Sequence, residues 1–198
     1  GGLTVYTTLD YNLQQSASCV TATYASRLEG IPEMPCNAAG LLPSLPPGAA
    51  LTEASSSAVI LDPSTGQVLA LVGETLKGQE TPLVAAHNPG SLLTPFVYLA
   101  GCARGLGPAT LVWDIPGQVS VQNYDGQFHG PLRLRNALAN DYRVPAEAVL
   151  AQMGAESVTK TVESFGLELD QPLRLVEIAG AYGVLGEQGV YYGQEIGP

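Results

Sequence analysis

Ser91 is the side chain of this sequence whose neighbours could make it reactive. It follows Pro89 and Gly90 and precedes an apolar stretch with helical spacing, in the segment HNPGSLLTPFVY. A serine at the start of a helix can act as a nucleophile when a base lies beside it. The alternative is structural, because serine is also a preferred N-cap whose hydroxyl accepts a backbone N–H of the first turn. The local sequence leaves both roles open, and the N-cap is the simpler one.

A nucleophilic serine needs a proton acceptor, and three side chains could supply one. His87 precedes Ser91 by one helical turn of sequence, and the chain contains two lysines, Lys77 and Lys160. Histidine can accept a proton near neutral pH, but an exposed or hydrogen-bonded role is simpler for His87. Lys77 follows a predicted hairpin and Lys160 lies in a late predicted helix, where exposure to solvent is usual for lysine. None of the three is assigned as the base.

The composition predicts a folded, acidic chain. Its 198 residues, 45% of them hydrophobic, suffice for one domain with a substantial core, or for a domain plus an appendage. The net charge of -10 opposes binding to nucleic acid. No apolar run approaches the roughly 20 residues that cross a bilayer, so we expect no membrane contact by this segment itself. A longer parent protein could still carry an anchor.

The cysteines and histidines do not form a metal-binding pattern. Cys19, Cys36 and Cys102 lack C-x-x-C spacing, and His87 and His129 lie far apart, so we expect neither a metal site nor a cofactor. A Cys19–Cys36 disulfide is one possibility in an oxidising compartment. Cysteines that fill apolar space without pairing are the commoner alternative.

The first half of the chain predicts a helix and a hairpin. Leu3–Thr7 alternates like a short strand, and Asp10 can cap the helix that follows it. Residues 30–48 are rich in proline and glycine and predict a loop or insertion. Ala58–Leu61 and Val68–Val72 flank a turn-forming segment and predict a hairpin that is buried on both faces, because neither run alternates. Since a lone hairpin is marginally stable, helices and further strands should cover it.

The second half predicts mainly helices. A helix should begin near Ser91 and end near Gly105, and residues 113–128 should be irregular. Four shorter helices are predicted at 132–140, at 145–153 with Pro145 in its first position, at 158–165 and at 172–185. A small sheet followed by many helices is an α+β architecture.

Several separate blocks then occur in a recognisable order: VYTTLDYNLQQSA, AVILDPSTGQVLALVG, NPGSLLTPFVYLAG, FHGPLRLRNALANDYRVPA, FGL and EIAGAYGVLGEQG. Together they resemble the transpeptidase domain of class A penicillin-binding proteins, which are bifunctional glycosyltransferase/transpeptidase enzymes of peptidoglycan synthesis. The resemblance implies one transpeptidase-like domain over residues 3–189, with 30–48 as a Pro/Gly-rich insertion or loop within it. It also implies a β-lactamase/transpeptidase-like fold of the α+β class. That fold would be incomplete here, with the C-terminal sheet strands missing.

The resemblance assigns a role to Ser91. The family uses three motifs, S-x-x-K, S-x-N and K-T-G, and the serine of the first attacks a peptide carbonyl to form an acyl-enzyme. The lysine of that motif stands one helical turn further on, where it can help remove the hydroxyl proton. Here Ser91 keeps the nucleophile position and Thr94 takes the lysine position. Because a threonine hydroxyl does not titrate near neutrality, we expect Ser91 to react as an ordinary alcohol.

The other two motifs also depart from the family. Asp141 and Arg143 occupy the serine and asparagine positions of S-x-N, so a small neutral proton relay becomes a charged pair that we expect to form a salt bridge and narrow the cleft. K-T-G is absent, since neither Lys77 nor Lys160 precedes Thr-Gly. The family carries K-T-G on a strand beyond the point where this sequence stops. Truncation therefore explains its absence as well as degeneracy does.

Three functions follow from the resemblance. The first is a non-catalytic transpeptidase-like domain, a pseudoenzyme, in a peptidoglycan-synthesis protein with a family 51 glycosyltransferase domain in the same parent chain. Its other partners would be a peptidoglycan stem peptide or a cell-wall protein. Its place would be the extracytoplasmic face of the bacterial cytoplasmic membrane, anchored through other parts of the parent. The alternative is an active serine D,D-transpeptidase acylated at Ser91, with a substitute base and with K-T-G beyond this segment. A third is a structural interaction module without a ligand-sized cleft.

Overall fold

A computed structural model describes residues 2–31, 35–45, 55–76, 79–80, 86–117 and 119–192. The chain divides into two compact units, one formed by Gly1–His87 with Arg174–Pro198 and the other by Asn88–Leu173. The helices, α1 to α6 in chain order, are Tyr11–Glu29, Thr94–Ala103, Leu134–Ala139, Arg143–Met153, Ala155–Glu163 and Leu175–Gly186. The strands, β1 to β7, are Ser55–Leu61, Val68–Leu76, Gln79–Glu80, Ala86–His87, Leu111–Asp114, Gly130–Arg133 and Leu173–Arg174. Short 3-10 turns occur at Asn37–Leu41 and Gly90–Leu93.

Helix α1 begins at the cap that the sequence predicts. A carboxylate oxygen of Asp10 accepts a hydrogen bond from the Leu13 N–H at 2.9 Å, which satisfies one of the unpaired donors of the first turn. At the other end Gly30 takes a left-handed backbone with φ 68°, and its N–H bonds to the Arg27 carbonyl. Glycine adopts this conformation without the steric cost of a Cβ atom. The N-cap prediction for Asp10 is confirmed.

The strand predicted over Leu3–Thr7 does not form. The segment is exposed, with Leu3 and Tyr6 89% and 93% accessible. A strand requires hydrogen bonds along a neighbouring backbone. Contacts with β2 come only after this segment, where the Thr8 hydroxyl donates to the Val68 carbonyl at 2.6 Å and the Asp10 N–H to the Leu69 carbonyl at 2.8 Å. Within the described ranges, therefore, no ladder supports a strand at 3–7.

The predicted hairpin is confirmed. β1 and β2 are antiparallel, with Ala58 opposite Val72 and Ile60 opposite Ala70, and β3 pairs with the far end of β2. The turn between β1 and β2 is fixed by Asp62, whose carboxylate accepts hydrogen bonds from the backbone and side chain of Ser64. The hydrogen bond from the Ser64 side chain is the main cause that lowers the pKa of Asp62, and the bond from the Ser64 backbone N–H lowers it further.

The burial of this hairpin differs from the prediction. Ala70 and Val72 are fully buried, but Leu71 between them is 39% exposed. Helix α1 covers one face of the sheet through Leu13 and Ala17. Helix α6 packs against β1, so both helices that cover the sheet come from the same compact unit. An unbroken apolar run therefore alternates in burial, because strand geometry sends successive side chains to opposite faces.

In the second unit, α2 packs against α4 and α5 around Phe96, which is fully buried and meets the edge of Phe165 with ring centroids 5.1 Å apart. The helix predicted at 132–140 is shorter, because Leu132 and Arg133 pair with β5 and only Leu134–Ala139 is helical. Pro145 is not the first residue of α4, which begins at Arg143. Proline is tolerated there because the N–H groups of a first turn have no partner within the helix.

Cys19 and Cys36 form a disulfide, so the alternative of unpaired cysteines is wrong for this pair. Their Cα atoms lie 5.9 Å apart, and the bond joins α1 to the 3-10 turn inside the loop predicted at 30–48. Cys102 is free and exposed rather than a buried filler. Residues 32–34 and 46–48 of that loop lie outside the described residues.

Replacing Cys19 and Cys36 together by serine should lower the free energy of unfolding by about 3 kcal/mol, because the disulfide limits the conformational freedom of the unfolded chain. Urea denaturation measures the change, and Cys102→Ser, which alters an exposed free thiol, should stay within about 0.5 kcal/mol of the parent. Reductant should destabilise the parent chain but leave the double variant unchanged. An unreduced parent as unstable as that variant would contradict the disulfide.

Candidate active-site cleft

A tight turn carries Ser91 at the start of α2. The Asn88 side-chain oxygen accepts a hydrogen bond from the Gly90 N–H at 3.1 Å, and the Leu92 N–H donates to the Pro89 carbonyl at 3.1 Å. Gly90 has a left-handed backbone with φ 53°, which favours glycine at this position. The turn leaves Ser91 exposed.

The N-cap role considered for Ser91 is not observed. Neither the 3-10 turn Gly90–Leu93 nor α2 has a side-chain cap hydrogen bond. The Thr94 N–H bonds instead to the Ser91 carbonyl, a backbone atom. Among the described residues no hydrogen bond engages the Ser91 hydroxyl. The hydroxyl is therefore accessible and not committed to the helix.

Ser91 and Thr94 both line a cleft of about 810 Å³ in the second unit. Thr94, the residue predicted to occupy the lysine position, is the first residue of α2 and is only 7% exposed, so its side chain faces inward. Apolar side chains from α2, α4, α5 and the adjoining turns form much of the remaining wall: Leu93, Val97, Ala146, Leu150, Val158 and Leu169. The space suits a ligand-sized group.

Asp141, between α3 and α4, and Arg143, the first residue of α4, also line the cleft. Asp141 has a left-handed backbone with φ 50°, and its N–H bonds to the Leu138 carbonyl at 3.1 Å. Arg143 begins α4, and both charged residues are exposed and line the cleft. The salt bridge predicted between them does not form in the described part of the chain. Exposed ion pairs gain little free energy, so nothing forces these two side chains together.

The described lining of the cleft contains no lysine or histidine. Its charged lining residues are Asp141, Arg143 and Glu147. Tyr98, on the same helix as Thr94, is 2% exposed, and its hydroxyl has no hydrogen-bond partner in the described structure. Burial raises the pKa of Tyr98, and the charges of Asp141 and Asp114 raise it further. This phenol therefore stays protonated near neutral pH and cannot serve as a base.

Of the three side chains considered as proton acceptors, the two that the structure describes are paired with carboxylates. His87 is hydrogen-bonded to Glu74, and Lys160 pairs with Glu156 at 2.7 Å on exposed α5. Lys77 lies outside the described residues. No described amine or imidazole contacts the Ser91 hydroxyl.

Sequence reasoning missed a polar cluster in this unit. Asn123 and His129 are both hydrogen-bonded to Asp114, whose side chain is fully buried. They fall in or beside the segment predicted to be irregular, and no short motif connects them. Over the described ranges, no group of three or more His, Cys, Asp or Glu residues could hold a metal ion. No described helix is long and apolar enough to cross a membrane.

The family model for the penicillin binding protein transpeptidase domain matches residues 56–182 of this chain. The chain is 27% identical over 163 residues to penicillin-binding protein 1A of Rickettsia bellii, covering 70% of this chain and 20% of that protein. It is 37% identical over 90 residues to penicillin-binding protein 1C of Escherichia coli, covering 43% of this chain and 12% of that protein. The matches thus span a fifth or less of these two relatives.

Solved structures show the same fold. A structure of PonA1 from Mycobacterium tuberculosis in complex with penicillin V has a TM-score of 0.70 at 20% identity, covering 96% of this chain and 53% of that one. Penicillin-binding protein 1A from Haemophilus influenzae has a TM-score of 0.56 at 26% identity, covering 67% of this chain and 23% of that one. The predicted transpeptidase-like α+β fold is confirmed.

Proposed function

The chain belongs to the penicillin-binding protein transpeptidase family, and we propose that it is a non-catalytic member, a pseudoenzyme domain of a peptidoglycan-synthesis protein. One observation carries the proposal. Ser91 is exposed in the cleft, but Thr94 stands at the lysine position of the family motif, and no lysine or histidine is among the described residues that line the cleft. The nucleophile is retained without its base.

The rate that is lost without a positioned lysine base supports the non-catalytic proposal. A positioned general base contributes about two to four powers of ten in rate. The loss grows when nucleophile and base act as a unit. Asp141 and Arg143 in the S-x-N positions also replace a neutral relay by two charges that lack a mutual salt bridge in the described residues. Binding without acylation is what such a cleft can still do.

The ligand and the setting follow from the family. The cleft would hold a peptidoglycan stem peptide or a segment of a cell-wall protein. The domain as a whole would position a glycosyltransferase domain of the same parent. The domain would lie on the extracytoplasmic face of the membrane. The Cys19–Cys36 disulfide supports that location, because disulfides persist in oxidising compartments.

A fluorescent penicillin tests the proposal on the full-length parent protein. We expect no covalent label at Ser91, because an unactivated hydroxyl does not open the lactam at a useful rate. Ser91→Ala should therefore look the same as the parent on a denaturing gel. Stoichiometric labelling of the parent that disappears in Ser91→Ala would refute the proposal.

The second candidate is an active serine D,D-transpeptidase. The observation that favours it is the turn at Asn88 and Gly90, which keeps the Ser91 hydroxyl exposed and unbonded within the described cleft. A lysine base for it would have to be Lys77, which lies outside the described residues, and its K-T-G would come from beyond this segment. Cross-linking activity of the parent separates the candidates. If Ser91→Ala leaves cross-linking unchanged, the active enzyme is ruled out.

A further inference from the structure

The second unit contains a buried carboxylate that needs a positive partner. The Asp114 side chain is 0% exposed. Its oxygens accept hydrogen bonds from the Asn123 amide at 2.9 and 2.8 Å, from the His129 backbone N–H at 3.0 Å and from His129 Nδ1 at 2.7 Å. In the described residues no lysine or arginine forms an ion pair with Asp114. Because a buried charge is costly unless it is paired, His129 is the group that can balance this one.

Both ring nitrogens of His129 face carboxylates. Nδ1 lies 2.7 Å from an Asp114 oxygen and Nε2 lies 3.1 Å from an Asp125 oxygen. The Nδ1 contact is a hydrogen bond, whereas the Nε2 contact is an ion-pair distance. An imidazolium would donate to Asp114 and be attracted to Asp125, whereas a neutral ring would leave both carboxylates without a positive partner. The geometry therefore favours the charged ring.

The same ring supports the wall of the cleft. His129 stacks on Tyr142 with ring centroids 4.0 Å apart and an angle of 18°, and Tyr142 is nearly parallel to Tyr124 at 6.4 Å. Tyr124 lines the cleft. A cation over an aromatic face is attracted by the electrons of the ring. The His129 ring is thus separated by one aromatic ring from a cleft-lining side chain.

Asn123 joins the cluster to the start of α4. Its amide nitrogen bonds to Asp114 and to the Gln127 carbonyl at 2.8 Å, while its oxygen accepts from the Val144 N–H at 3.2 Å. Val144 follows Arg143, which lines the cleft, so the cluster also fixes the backbone beside that residue.

We propose that His129 is a positioning residue: held as an imidazolium between Asp114 and Asp125, it fixes the Tyr142–Tyr124 wall of the cleft and makes that wall sensitive to pH. The proposal rests on the proposed function only in treating this cleft as the binding site. Its test needs no ligand. The test can therefore succeed or fail independently of whether the cleft binds a ligand.

The other ionisable groups around His129 do not account for such a pH response. They are Asp114 from β5, Asp125 from the following loop, Tyr142 from the turn before α4 and, near Asp114, Tyr98 from α2. Burial raises the pKa of both Tyr142 and Tyr98, and neighbouring acidic groups raise it further. Both phenols stay neutral over the range of about pH 5 to 8 in which histidine side chains change charge.

NMR of the full chain labelled with ¹⁵N-histidine tests the proposal. At pH 6 both ring nitrogens of His129 should carry protons. As the pH rises and one proton is lost, the ring signals of Tyr142 and Tyr124 should shift with the same midpoint. Exchange of the Val144 amide, corrected for its intrinsic pH dependence, should quicken about tenfold or more, as expected when a charge-assisted hydrogen bond is lost.

Two variants separate positioning from mere packing. His129→Gln keeps a hydrogen-bond donor but cannot titrate, so the coupled shift of Tyr142 and Tyr124 should vanish. His87→Gln removes the other histidine, which is bonded to Glu74, and should leave that shift intact. Persistence of the tyrosine transition in His129→Gln would overturn the proposal, and so would a singly protonated His129 at pH 6. The second result needs only the parent chain and stands even if His129→Gln fails to fold.

Discussion

Replacing Thr94 by lysine in the full-length parent should raise the rate at which a fluorescent penicillin acylates Ser91 by about two to four powers of ten. Thr94 is the first residue of α2 and lines the same cleft as Ser91. A lysine there stands one helical turn from the hydroxyl and can share its proton. Time-resolved labelling on a denaturing gel measures the rate.

The matched control for this substitution is Thr94→Met. Methionine has a similar length but no amine, so it tests whether filling the cleft alone changes the rate. It should remain as unreactive as the parent. Ser91→Ala combined with Thr94→Lys should abolish all new labelling, because the acyl group has no other oxygen to occupy at this position.

Adding Asp141→Ser and Arg143→Asn to Thr94→Lys should increase labelling further, because the two changes restore the neutral relay of the family. If Thr94→Lys labels no faster than Thr94→Met, the missing lysine is not what limits acylation. The non-catalytic proposal would then have to rest on the charged pair alone.

Much of the framework followed from local sequence signals. Asp10 marks the start of α1, because a side-chain cap acts over a few residues. The β1–β2 hairpin followed in the same way from turn-forming residues between two apolar runs. The strand predicted over Leu3–Thr7 does not form, because an alternating pattern does not show whether a neighbouring strand is present to pair with it. The helix predicted from residue 132 begins later, because Leu132 and Arg133 pair with β5 instead.

The residues of the site likewise differ in whether local sequence signals could identify them. Ser91, Thr94, Asp141 and Arg143 could be placed because they fall inside motifs, and the structure brings all four to one cleft. The cluster around His129 could not be placed. Its members are joined by side-chain contacts across a turn-rich segment, and contacts of that kind depend on the tertiary fold rather than on spacing.

Phe96→Ala should lower the free energy of unfolding by about 3 to 5 kcal/mol, the usual range when a buried phenylalanine is removed from a core. Phe96 is fully buried and packs against the edge of Phe165 at 5.1 Å. An aromatic pair of this kind adds about 0.5 to 1.5 kcal/mol beyond the buried area. Since small domains are stable by only about 5 to 15 kcal/mol, the loss would be a large part of the total.

This core position also determines whether the cleft can exist, because Phe96 lies on the same helix as Thr94 and one turn beyond the segment that carries Ser91. Phe96→Leu keeps an apolar side chain and should cost less than Phe96→Ala by about 1 to 3 kcal/mol. Urea denaturation followed by circular dichroism compares the two variants. Equal stability of Phe96→Ala and the parent would mean that α2 is not anchored in the core, and the arrangement of Ser91 and Thr94 would lose its structural basis.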